Sequence, residues 1–153
     1  MKELVSIITP TYNSELFIKE TINSILMQSY DNWELLITDD CSTDNTVSLI
    51  EDLMANENRI KLFVLIENSG AAIARNNSIE KASGKYIIRL DADDYFDENA
   101  LILMVDYLEN NDIALVYSDW IYVNEFGFFT GKETRKKLNI ETLVNDLAAH
   151  GAC

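Results

Sequence analysis

Glycine and proline are scarce in this chain of 153 residues, which holds five glycines and one proline. No glycine follows the first apolar run. The Gly-x-Gly-x-x-Gly dinucleotide fingerprint and the P-loop, which rely on glycine for close backbone approach to phosphate, are both excluded. Two cysteines, Cys41 and Cys153, cannot build a disulfide framework and have no metal-ligand spacing. Basic residues are also few: 12 against 26 acidic ones, for a net charge of −14 and a pI near 4.3. So negative a surface repels phosphate backbones and anionic lipid, which argues against nucleic acid as a partner. No apolar run approaches the roughly 18 residues a membrane span needs, so no membrane segment is expected in this chain. Residues 1–6 enter a strand-like pattern without a signal-peptide core, and a cytoplasmic protein is expected. What the chain does have is 48% apolar residues, enough for one packed domain.

Those apolar residues alternate between two patterns. Short β-branched runs occupy 4–9, 33–38, 60–66, 85–90 and 114–117, several continuously apolar, as strands buried on both faces are. Between them lie helical stripes: Ile18, Ile22 and Ile25; Val47, Ile50, Leu53 and Met54; a weaker Ile73, Ile79 and Ala82; then Leu101, Val105 and Leu108. Ser42 and Thr43 are expected to cap the second helix, with Asp44 in its first turn. The alternation predicts an α/β sandwich with a mostly parallel sheet. After Trp120 the pattern predicts a hairpin through 121–129, a basic patch at 132–137 and a last helix over 140–149. The chain stops just after a new segment begins, so a C-terminal part is expected to be missing.

Ligands of open α/β sheets bind beyond the carboxyl ends of the strands. Four such ends here carry unusual residues: Thr9-Pro10-Thr11-Tyr12-Asn13, Asp39-Asp40-Cys41-Ser42-Thr43-Asp44, Asn68-Ser69-Gly70 with Ala74-Arg75-Asn76, and Asp91-Ala92-Asp93-Asp94. In an extended segment Asp91 and Asp93 point the same way and can share a hard cation. All-oxygen donors suit Mg²⁺ or Mn²⁺, which keep open positions for substrate phosphates. Taken alone, the acidic turn reads more readily as a solvated turn capping the helix that starts near Asn99. Asp39 and Asp40 are either turn-formers or acceptors for a base edge or ribose hydroxyl. Arg75, about a turn and a half into a helix after Asn68-Ser69-Gly70, can face the rim and clamp an anion.

With Val5-Ser6-Ile7-Ile8 ahead of the first segment and Gln28-Ser29-Tyr30 between the first two, these pieces resemble family 2 glycosyltransferases over roughly residues 4–120. The resemblance implies a GT-A fold, a Rossmann-like α/β sandwich that binds a nucleotide-diphospho-sugar. It further implies that Pro10, Thr11 and Tyr12 hold the nucleobase, with Tyr12 packing on it. Asp40, beside Asp39, would accept from the base, uracil in most such donors. Gly70 and Arg75 would flank base and diphosphate, Asp91 would reach the ribose or the metal shell, and Asp93 would ligate Mn²⁺ or Mg²⁺. The implied reaction is metal-assisted transfer of a sugar, from a UDP-sugar donor to a saccharide or glycoconjugate hydroxyl, with inversion, in polysaccharide or glycoconjugate biosynthesis. The whole chain would be one GT-A domain, with 1–120 as the donor-binding half and 121–153 opening the acceptor side.

One departure matters. The family's acidic general base has no match after Asp119, so the base is expected beyond Cys153. A non-catalytic nucleotide-binding or interaction domain of the same fold is the alternative. A phosphoacceptor domain of flavodoxin-like order is a third reading, opposed by Thr9-Pro10-Thr11 where its acidic pair would stand.

Overall fold

A computed structural model describes residues 2–124 and 126–134. Four strands, β1 (Val5–Thr11), β2 (Trp33–Asp39), β3 (Ile60–Val64) and β4 (Tyr86–Arg89), form an all-parallel sheet in the order β3-β2-β1-β4. Registers Ile7↔Leu35, Leu35↔Ile60 and Ile7↔Ile88 align the strands. Helices α1 (Ile18–Leu26), α2 (Thr46–Met54), α3 (Ala71–Ile79) and α4 (Ala100–Asn110) connect or follow them. The flavodoxin-like order would place β3, not β4, beside β1, so the phosphoacceptor reading is excluded by topology.

Strand β1 and strand β2 are buried at every position because both their faces are covered. Side chains alternate along them. Val5, Ile7, Leu35 and Ile37 face one layer with Ile18, Ile22, Ile25, Ile50, Leu101 and Val105 from the helices, forming one contiguous core. The other face carries Ser6, Ile8, Glu34, Leu36 and Thr38, and α3 covers it through Ala74 and Ser78. Thr38 and Ser78 hydroxyls meet there at 2.6 Å.

That second face holds an ionic network at the start of the strands. The Glu34 Oε1 atom accepts from Ser6 Oγ (2.8 Å), Ser83 N (2.8 Å) and Ser83 Oγ (2.7 Å), and Oε2 accepts from Lys61 Nζ (2.8 Å). Gly84 N donates to Ser6 Oγ at 2.8 Å, so the chain entering β4 lies against β1. A Cβ on Gly84 would sit 2.6 Å from Ser6 N, 2.7 Å from Ser6 Oγ and 2.8 Å from Leu4 O. Two of these are backbone atoms, which have no rotamer to yield. Gly84→Ala is therefore expected to destabilise the protein by about 1 to 3 kcal/mol, measurable by urea unfolding. An unchanged midpoint would show that β4 can move away at no cost.

The structure departs from the sequence expectations at three points. Residues 114–117 form no strand; Leu115 and its neighbours are largely exposed, and a four-residue apolar run becomes a strand only where an edge accepts its hydrogen bonds. Ser42 and Thr43 do not cap α2, which starts at Thr46. Asp44 lies before the helix rather than in its first turn, and its Oδ1 accepts from Thr46 N at 3.0 Å. The Ser42 hydroxyl is engaged elsewhere, as described below.

The chain divides into two compact units after Asn110. In the second, β5 (Trp120–Val123) and β6 (Phe129–Glu133) pair antiparallel as the expected hairpin, and Lys132 pairs with Asp119 at 2.8 Å. The helix expected over 140–149 lies outside the described residues. No helix among the described residues is long and apolar enough to cross a membrane.

Candidate functional site

The chain runs outward from β1 to β2 and β3, then crosses back to β4 on the other side of β1. The loops after β1 and β4 therefore diverge, and this topological switch point is where open α/β sheets bind ligands. A cleft of about 390 Å³ opens there. Its walls include Pro10, Tyr12 and Phe17 from the β1 side, Arg75 from α3, and Asp91 and Asp93 from the loop after β4.

The loops after β1 and β2 are zipped together. Asn13 N donates to Ser42 Oγ (2.8 Å), and Asn13 Oδ1 accepts from Thr43 N (2.8 Å). Ser14 N donates to Thr46 Oγ1 (2.7 Å) and Glu15 N to Asp44 Oδ2 (3.1 Å). Asn13 and Cys41 both take left-handed backbone conformations, φ 48° and 64°. Asparagine tolerates that region; for cysteine it costs energy that the surrounding bonds must offset.

Asp39 and Asp40 are both buried, with separate tasks. Asp39 accepts from Ser42 N (2.8 Å) and Ser42 Oγ (2.5 Å), closing the turn in which Cys41 is left-handed. Asp40 reaches across to the loop before α3: Oδ1 accepts from Ser69 N (2.7 Å) and Oδ2 from Gly70 N (2.8 Å). Gly70 has φ 93°, a conformation that side chains disfavour, and it directly precedes α3. Asp40 thus places the first turns of the helix that carries Arg75. A carboxylate offers about four acceptor sites, so two remain.

Asp91 is flanked by two guanidinium groups, Arg89 Nη2 at 3.1 Å from Oδ2 and Arg75 Nη2 at 4.0 Å from Oδ1. Asp91 Oδ1 and Arg75 Nε are buried without a hydrogen-bond partner. Buried polar atoms are paired in the great majority of cases, so these two atoms in one cleft wall have capacity for a solvent or ligand partner. Beside them, burial pushes the Asp94 carboxyl up from its usual range, and the charges of Asp93 and Asp91 push it further, against a smaller opposing pull from Arg89. Among the described residues, no group of three or more His, Cys, Asp or Glu side chains converges as a metal cage. Crowded carboxylates with an unpaired oxygen nevertheless fit an ion of the Mg²⁺ or Mn²⁺ type, which takes one or two carboxylates and completes its shell with phosphate and water.

The acidic loop is held in place by α1 and the residues after it. Thr21 Oγ1 donates to Ala92 O (2.8 Å), and Phe96 N donates to Ser24 Oγ (3.1 Å). Buried Gln28 donates to Asp97 O (2.7 Å) and accepts from Leu101 N (3.1 Å), while Ser29 N donates to Glu98 O (2.9 Å). Gln28-Ser29 therefore positions the segment that follows the acidic turn. Sequence reasoning noticed this piece without a role, because its partners lie about 70 positions away. Arg89 was missed altogether; its only signal was a charge at the end of an otherwise apolar strand.

Of the residues singled out from the sequence, Pro10, Tyr12, Arg75, Asp91 and Asp93 line the cleft together. Thr11, Asp39 and Asp40 lie buried beneath its rim, and Gly70 stands next to Ala71, which lines it.

The family model described as glycosyl transferase family 2 matches residues 6–150. The chain is 38% identical over 126 residues to a putative teichuronic acid biosynthesis glycosyltransferase, TuaG, of Bacillus subtilis (strain 168), covering 82% of this chain and 50% of that protein. It is 42% identical over 121 residues to the Escherichia coli UDP-Glc:alpha-D-GlcNAc-diphosphoundecaprenol beta-1,3-glucosyltransferase WfgD, covering 79% and 47%. The chain spans about half the length of these curated relatives. Among solved structures it resembles S. aureus TarS 1-349 in complex with UDP, with TM-score 0.67 and 34% identity over 72% of this chain and 32% of that one. It also resembles the mannosyltransferase PcManGT from Pyrobaculum calidifontis in complex with GDP-Man and Mn²⁺, with TM-score 0.66 and 28% identity over 71% and 33%. The parallel sheet and its flanking helices are of the GT-A type found in these transferases.

Proposed function

The chain belongs to glycosyl transferase family 2, and from that premise we propose that its cleft binds a uridine-diphosphate sugar for inverting transfer to a saccharide or glycoconjugate hydroxyl. The supporting observation is the pair of buried orphans, Asp91 Oδ1 and Arg75 Nε, in the wall of a cleft at the switch point. An acceptor and a donor both lack partners there, as recognition of a ligand carrying hydroxyls and an anionic group requires.

In this reading the half-exposed Tyr12 ring packs against the base above Pro10 and Thr11. Asp40 uses its remaining acceptor capacity on the base edge. Arg75, on the helix that Gly70 introduces, faces the diphosphate, and Asp91 holds the ribose or the ion. Asp93 holds a divalent cation, Mn²⁺ or Mg²⁺. When bound, that ion supplies positive charge to the leaving diphosphate as a Lewis acid. A protein of net charge −14 needs such a source to accept an anionic donor. The base that takes the acceptor proton is assigned outside the described residues. The whole protein would work in the cytoplasm, in polysaccharide or glycoconjugate biosynthesis.

The test is a thermal-shift comparison. With saturating Mn²⁺, uridine diphosphate at about 100 times its dissociation constant should stabilise the fold by roughly 2.7 kcal/mol. For a chain of this size that is a rise in midpoint of very roughly 5 to 10 °C. Chelator or Asp93→Ala should remove most of the rise, while uridine, without phosphates to bridge, should bind both forms equally. Diphosphate binding indifferent to both treatments would remove the ion from the proposal.

A further inference from the structure

Asp91 is held unequally by its two arginines. Arg89 reaches Oδ2 at 3.1 Å, whereas Arg75 stands 4.0 Å from Oδ1, beyond hydrogen-bond range, with its own Nε unpaired. Arg75 and Asp91 line the cleft and Arg89 does not. Arg89 is the last residue of β4, whose backbone is tied to β1 through the Ile8↔Arg89 register, so its anchor is the sheet itself. One arginine is fixed outside the site; the other is loosely held inside it.

We propose that Arg89 is a positioning residue: it grips Asp91 by Oδ2 from outside the cleft and thereby presents Oδ1 to a ribose hydroxyl of the bound nucleotide. Arg75 is the exchangeable partner. When it turns to the diphosphate, Oδ1 is left with the hydroxyl as its partner. The same ion pair divides labour among the acidic residues. A guanidinium beside Asp91 repels a second cation, which leaves the divalent ion to Asp93. The inference rests on the proposed nucleotide site and adds to it a residue that neither contacts the ligand nor lines the cleft.

Stability cannot be the reason for the pair. The Arg89 side chain is 47% exposed, and exposed ion pairs contribute little to folding. Ligand-free Arg89→Ala should accordingly unfold at the wild-type midpoint. The discriminating measurement is the affinity of uridine diphosphate against its 2′,3′-dideoxy form, by calorimetric titration with Mn²⁺ present. The wild type should prefer the hydroxylated ligand by about tenfold, the value of one good hydrogen bond. Arg89→Ala should reduce that preference to about twofold or less, and Arg89→Lys should restore part of it. Asp91→Asn should reduce it equally, and the double variant should lose nothing more, because both changes break one device. A preference that survives Arg89→Ala, or losses that multiply in the double variant, would overturn the inference. So would a wild type that binds both ligands alike. Failure of the wild type to bind either ligand would instead bring down the proposed nucleotide site, and this inference with it.

Discussion

Replacing Glu34 by Ala should cost about 2 to 4 kcal/mol, because it strands the Ser83 and Ser6 donors that bond the buried carboxylate. The Glu34 side chain is 7% exposed and accepts from Lys61, Ser83 and Ser6 at once. Burial alone would raise its carboxyl, but those four bonds overcome it and hold the group at about 2, below the ordinary 4.5. Because the folded value is depressed, the contribution is complete above 4.5 and disappears as the pH falls toward 2. Its size from that shift is about 3 kcal/mol. Urea unfolding of the wild type should therefore weaken across that window, and Glu34→Ala should flatten that part of the profile. Equal pH slopes in the two proteins would mean that the network is not ionic in the folded state. This network lies at the opposite end of the sheet from the cleft, so loss of stability is expected without a specific loss of ligand preference.

Asp40→Asn should instead strike stability and binding together. An amide presents a donor to one of two backbone N–H groups, of Ser69 or Gly70, which now lie 2.7 and 2.8 Å from carboxylate oxygens. One of these N–H groups, on a partly exposed loop, loses its acceptor and the other bond loses its charge, a cost of about 1 to 3 kcal/mol. The loop before α3 then loosens and Arg75 moves with it, so the midpoint rise given by uridine diphosphate should shrink as well. Asp39→Asn is the control. It faces the Ser42 backbone N–H and hydroxyl, and the hydroxyl can rotate to donate or accept, so its effect should be smaller and confined to stability. Thermal unfolding of both variants with and without uridine diphosphate and Mn²⁺ separates these outcomes. Matching ligand responses would show that Asp40 plays no special part in the site.

Local chemistry carried much of this protein in the chain itself. The β-branched runs that became β1 to β4 and the Ile18, Ile22, Ile25 stripe were legible because strand and helix periods are properties of neighbouring residues. The strand-end residues were legible as a rim because parallel strands must all end on one side. The run at 114–117 misled because a strand needs a pairing partner, and four apolar residues do not encode one. Ser42 misled because its hydroxyl is drawn to Asp39 and Asn13 rather than to a helix N-terminus.

Only the tertiary structure decided which rim residues form the wall of the cleft and which support it from below. Tyr12, Arg75, Asp91 and Asp93 reach the cleft, while Asp40 binds the backbone of a loop about 30 positions away. Gln28 braces the segment after the acidic turn, and Arg89 grips Asp91 from outside. Each of these choices depends on where a side chain points after distant strands have paired. A carboxylate or amide is chemically the same at every position in a sequence, and its partner is set by the register and loop geometry that bring remote backbone groups within about 3 Å.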